Sequence, residues 1–148
     1  IVAWAEFRRD HPGGRVLSRD TGHSRPYGQN PYYGYDTVDS SPFFPVQNAD
    51  DDRLPPKERV VFVERGDEAV VVPFSTLREK KEVRVEIGGS SLVVRWRAGV
   101  ASSLDQGEIA EGRDVGAAEV LEEGRLVTFD QPFWFAVAAF RPEVRIVR

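Results

Sequence analysis

The chain has 148 residues, no cysteine, no methionine and two histidines, and its 24 acidic and 20 basic side chains leave a net charge of −4. That length suits a single domain with a real core, since a domain of this size buries roughly 68–70% of the surface its unfolded chain exposes. The composition excludes disulfides, thiolate nucleophiles and cysteine-ligated metals, makes a zinc site a poor fit, and supplies no field to attract nucleic acid or anionic lipid.

No apolar run reaches the ~20 residues needed to cross a bilayer, and no signal segment opens the chain. Because the sequence begins with Ile1 and lacks methionine, it reads as a processed product or a piece of a longer chain. Val2 to His11 places Trp4 and Phe7 on one face at a spacing of three, and Pro12-Gly13-Gly14 stops the pattern. This predicts a short helix, followed by a strand at Arg15 to Leu17.

The next twenty residues, LSRDTGHSRPYGQNPYYGYD at Leu17 to Asp36, gather all four tyrosines with arginine, glycine and proline, and show neither strand nor helix periodicity. An ordered functional loop is the reading, because tyrosine-rich composition argues against disorder. Residues 40–58, SSPFFPVQNADDDRLPPKE, continue as proline-rich loop. From Arg59 the pattern changes to hairpins. RVVFVE and EAVVVPF flank Arg65-Gly66-Asp67, EVRVEI and SLVVRW flank Gly88-Gly89-Ser90, and AAEVLE and RLVTF flank Glu123-Gly124. Ser75 to Lys81 allows one helical turn, and Gly99 to Gly116 is irregular. The expected fold is mainly β, with antiparallel hairpins forming a small barrel or sandwich, two or three short helices and a long wrapping loop.

The end of the chain echoes its beginning. Trp4, Phe7, Pro12 and Arg15-Val16-Leu17 find counterparts in Trp134, Phe140, Pro142 and Arg145-Ile146-Val147. The chain therefore reads as one domain in which residues 1–17 are a helix-strand remnant of a first repeat. Residues 18–58 are irregular, and residues 59–148 form a hairpin core that ends in the second copy.

Arg25, Tyr27, Asn30, Tyr32, Tyr33, Tyr35 and Asp36 combine aromatic faces with polar heads, the mixture of recognition surfaces; the plainer alternative is a loop that packs its rings over the barrel end. His23 has no partner at readable spacing and reads as an exposed side chain. Asp50, Asp51 and Asp52 lack the spacing of a calcium loop and read as a solvated turn pairing one carboxylate with Arg53 or Arg59. Ser102 and Ser103 sit in a small-residue loop without a nucleophile elbow. Trp96 and Trp134 read as core anchors.

VAWAEFRRDHPGGRVLSRDTG, RPYGQNPYYGYD, DDRLPPKERV, WRAGVASSLD, GRDVGA and FWFAVAAFRP, in this order, resemble the family called domain of unknown function 3179. The resemblance implies a full domain about twice this length that is itself duplicated, and members that commonly carry export signals. This chain departs from the family pattern. It lacks the paired-cysteine CPLC motif and both DxxTGSxW signatures, and it carries Phe62 and Val72 where relatives have glycine and tyrosine. Ser102 and Ser103 stand where the other half holds CPLC. The chemistry tied to those signatures does not carry over.

The expected function is a non-catalytic binding or structural module, an accessory chain clasping a protein partner through its Tyr/Arg-rich and Pro-rich loops, with no catalytic residues, metal or cofactor and no nucleic-acid partner. The alternative is an exported enzyme or small-ligand-binding protein with a pocket between the 25–36 and 99–105 loops, binding through Arg25, Tyr27, Asn30, Tyr32, Tyr33, Tyr35, Asp36, Ser102 and Ser103. The expected location is extracytoplasmic.

Overall fold

The computed structural model describes residues 3–148. Helix α1 spans Trp4–Asp10, and Val2, expected to begin it, lies outside the described residues. The predicted strand at Arg15–Leu17 does not form; these residues are exposed and pair with nothing. Strands β1 (Val60–Arg65) and β2 (Glu68–Pro73) make the first hairpin, and helix α2 (Phe74–Lys80) follows with two turns where one was expected. Strands β3 (Glu82–Ile87), β4 (Ser90–Arg97), β5 (Ala117–Glu122) and β6 (Arg125–Leu126) form a four-stranded antiparallel meander. Helix α3 (Trp134–Phe140) leads to β7 (Arg145–Ile146), which pairs parallel with β2.

The fold is mainly β, with two sheets and three short helices, and the sheets do not close into a barrel. Side-chain alternation explains how they pack. In β3, Val83, Val85 and Ile87 alternate with exposed Glu82, Arg84 and Glu86, so this sheet is apolar on one face only. Its inner face meets Val61, Val63, Val70 and Val72 of the first sheet, with Phe74 and Leu77 of α2 closing the side. The opposite face of the first sheet presents Val60, Phe62 and Val71, which α3 covers with Trp134, Val137 and Ala138. Burial on both faces is why β1 and β2 read as unbroken apolar runs in the sequence.

The two aromatic helices have the same backbone pattern 130 residues apart. His11 N–H donates to Phe7 O and Gly14 N–H to His11 O, matched by Arg141 to Val137 and Val144 to Arg141. Their surroundings differ: Trp134 is fully buried, whereas Trp4 is 55% exposed. Arg97 of the second sheet forms an ion pair with Glu6 of α1 and, within the sheet, one with Glu119 at 3.1 Å.

Trp134 is fully buried in the core, and Trp96 is half-buried and packs against the core between the sheets. The Lys81 ammonium lies 4.3 Å from its ring, and Gly116 packs against its indole nitrogen. Gly116 has a φ of 72°, and a Cβ there would collide with Trp96. Gly124, at the turn between β5 and β6, has a φ of 78° but open space around it. Both alanine variants incur the left-handed penalty of about 1–2 kcal/mol, and Gly116→Ala adds an overpacking cost of about 1–3 kcal/mol. Urea denaturation is expected to rank Gly116→Ala well below Gly124→Ala in stability; equal losses would contradict the packing described.

Candidate polar cleft

The long loop is held in place by main-chain contacts with the 99–116 segment. Asn30 N–H donates to Gly107 O at 2.8 Å, Gly34 N–H to Asp105 O at 3.0 Å, and Ile109 N–H to Gly28 O at 3.0 Å. The Asn30 carboxamide donates to Gln106 O and accepts from Tyr32 N–H, so this buried side chain supports the loop. The 99–116 segment folds back on itself at Ala101 and Asp114, with Ser102 N–H donating to Arg113 O. Gly112 has to be glycine, because a Cβ there would run into the Ser102 carbonyl.

Asp36 sits where these segments meet and is 1% exposed. Its Oδ2 accepts from Ser102 Oγ at 2.5 Å, its Oδ1 from Arg113 Nη1 at 3.0 Å, and its carbonyl from Arg113 Nη2 at 2.8 Å. Ser102 Oγ also accepts from Leu104 N–H, so both hydroxyl roles are filled by the fold. Arg113 is clamped between Asp36 and Asp105. Asp36 is the buried member of this network, and removing its partners would leave its charge uncompensated.

Lys57, Glu58 and Arg59 form the facing wall. Main-chain bonds from Trp134 N–H to Glu58 O, Phe135 N–H to Pro56 O and Phe74 N–H to Arg59 O fix this segment between α2 and α3. Lys57 is fully buried; its Nζ donates to Tyr35 O at 2.5 Å and lies 3.9 Å from the Tyr35 ring and 5.0 Å from that of Phe43. Burial pushes its pKa below the ordinary lysine value, and the Asp36 charge opposes that shift. Glu58 accepts from Ser75 N–H at 2.7 Å. The Arg59 guanidinium reaches Asp36 Oδ2 at 3.5 Å, the one hydrogen bond of its side chain among the described residues, and burial lowers its pKa too. Between the walls lies a cleft of about 120 Å³, lined by Asp36, Lys57, Glu58, Arg59, Arg78 and Arg113 among others. Four cations thus face two carboxylates.

Of the residues singled out in the sequence, Asp36 and Ser102 come together at this cleft, with Tyr35 behind it. Asn30 braces the loop. Tyr32, Tyr33 and Ser103 point to solvent, and Arg25 is exposed. Tyr27 lies at the outer end of the loop with its hydroxyl on Thr21 Oγ1 at 2.8 Å, and lines a separate depression with Gln29 and Glu108. His23 is exposed. Asp51 pairs with Arg53 at 2.7 Å, and no group of three His, Cys, Asp or Glu side chains converges among the described residues. Lys57, Glu58, Arg59, Arg78 and Arg113 were missed. A charged triplet directly before the apolar run Val60 to Val63 is the signal that points to the first three.

A family model described as protein of unknown function, DUF3179, matches residues 1–144. The chain belongs to the DUF3179 family. No curated protein and no solved structure matches it. Every residue lining the cleft falls within the DUF3179 match, and the family description assigns none of them a role.

Asp105 supplies a pH test of the clamp on this DUF3179 cleft. The Arg113 main-chain N–H, together with its guanidinium, holds the Asp105 carboxyl below the usual aspartate value of 3.8. A depressed folded pKa gives stability that is complete above the unfolded value and lost as pH falls through the folded one. Melting temperature is expected to drop between about pH 5 and about pH 3 by less in Asp105→Asn than in the wild type. Equal drops would show that the clamp contributes nothing to the acid limb.

Proposed function

We propose that the protein is a ligand-binding protein whose cleft between Asp36, Arg59 and Arg113 takes the carboxylate of an acidic ligand. The reading rests on Arg59. A guanidinium has five N–H donors, yet this one, 26% exposed along its side chain, has a single contact at the limit of hydrogen-bond length. Burial disfavours its charge, and Arg78 and Arg113 add to the excess of positive charge around the same space. A carboxylate entering the cleft restores the missing acceptors, each charged hydrogen bond contributing about 1.5–3 kcal/mol. Asp36, already saturated by Ser102 and Arg113, orients the site rather than competing for the ligand.

A second reading, a module that clasps a protein partner, draws on the exposed rings of Tyr33, Phe43 and Phe44. Both readings are non-catalytic. The Ser102 hydroxyl is occupied by Asp36 and Leu104, and its hydrogen bonds among the described residues include no histidine that could act as base.

Succinate added at low salt is expected to raise the melting temperature in a concentration-dependent way, as binding to the folded state alone requires. In Arg59→Gln the rise should shrink at least tenfold in apparent affinity, while the unliganded variant stays folded. A rise of the same size in wild type and variant would place the anion elsewhere and overturn the reading.

A further inference from the structure

We infer that the carboxylate entering this cleft belongs to a side chain of an extended protein segment, whose neighbouring apolar residues lie along an aromatic ridge next to it. The inference rests on the anion reading above and adds the body of the ligand. A cleft of about 120 Å³ admits a head group, but sites that enclose a whole small ligand run to about 300–1,000 Å³. The rest of the ligand therefore lies outside, on whatever borders the opening.

Close to the cleft, in contact with its Lys57 and Arg59, lies a cluster of rings. Tyr35 is the centre, with Phe43 at 4.7 Å, Phe133 at 6.0 Å and Tyr32 at 6.3 Å, and Phe135 stacks on Phe133 at 6.1 Å. Phe43 is 68% exposed and Phe44 58%. An exposed group of this kind on a soluble domain marks a contact surface. The cluster is joined to the cleft through its cations: Lys57 lies under Tyr35 and Phe43, and the Arg59 guanidinium is 5.4 Å from the Phe133 ring. A head group on Arg59 thus places its attached atoms close to Phe133.

The chemistry of the surface selects a polypeptide. Phe43 and Phe44 are exposed and carry no polar tip, and their chain neighbours Pro42 and Pro45 add none, so this part of the surface suits apolar side chains. Tyrosine, phenylalanine and arginine in one patch is also the composition of protein-binding surfaces.

The test is fluorescence anisotropy with a labelled, end-capped peptide, Ser-Asp-Ser-Phe-Ser-Leu-Ser, in which Asp, Phe and Leu share one side when extended. The peptide is expected to bind at least tenfold tighter than succinate does in competition, and to lose at least tenfold when its Asp is replaced by Asn. The double variant Phe43→Ser with Phe44→Ser, at two exposed positions, should weaken the peptide at least tenfold, and Arg78→Gln should weaken it as well. If succinate binds the wild type but the peptide is no tighter, or if the double variant binds the peptide unchanged, this inference fails and the anion reading stands. If succinate does not bind either, both fail. Displacement of the peptide by oligogalacturonate at lower concentration would assign the surface to a sugar acid and overturn the inference.

Discussion

Asp36 is the charge around which the irregular half of this protein is organised. Two long loops, neither with a hydrophobic stripe of its own, are brought together by one carboxylate that accepts from Ser102 and Arg113 while the Arg113 guanidinium also holds the Asp36 carbonyl. Burying a carboxylate is costly unless its oxygens are filled. Here the oxygens are filled by groups from the opposite loop, so the requirement to satisfy the charge dictates that the loops meet. The cleft lies beside that meeting, between Asp36 and Arg113 on one side and the Lys57-Glu58-Arg59 wall on the other, and the loop reaches the wall through Tyr35 and Asp36.

The wall in turn depends on the sheets. Val60 and Val61 point to opposite faces of β1 and both are fully buried, one against α3 and the other in the core between the sheets. That fixes the strand so firmly that the three charged residues before it have little freedom: their main chain is bonded to α2 and α3 on either side. A site on rigid flanking elements can hold poorly satisfied cations in place, which a free loop would relax by turning them into water. Lys57 and Arg59 stay beneath and beside the aromatic rings for this reason.

The hairpins were legible in the sequence because each had a glycine turn between β-branched runs, and the register follows those turns, as in Val60 opposite Pro73 and Val83 opposite Val94. Asp36 and Ser102 were legible as a pair of loops worth joining. Arg15 to Leu17 was misjudged as a strand because β-branched residues after a glycine stop look the same whether or not a sheet edge is there to receive them; Arg145 and Ile146 find β2, and Val16 finds nothing. Arg113 and Arg78 carried no local signal, since arginine in a loop or on an exposed helix face is ordinary. Their importance comes only from long-range contacts, Arg113 lying 77 residues from Asp36 in the chain.

The most direct test is to follow the arginine side-chain Nε–Hε signals by NMR while acetate is titrated into the folded protein at low salt. Unsatisfied guanidinium groups that take a carboxylate shift in a saturable way, and the account requires Arg59, Arg78 and Arg113 to move together while arginines outside the cleft, such as Arg95 and Arg125, stay still. A uniform drift of all arginine signals, or saturation at a different set, would mean that the cleft does not take a carboxylate.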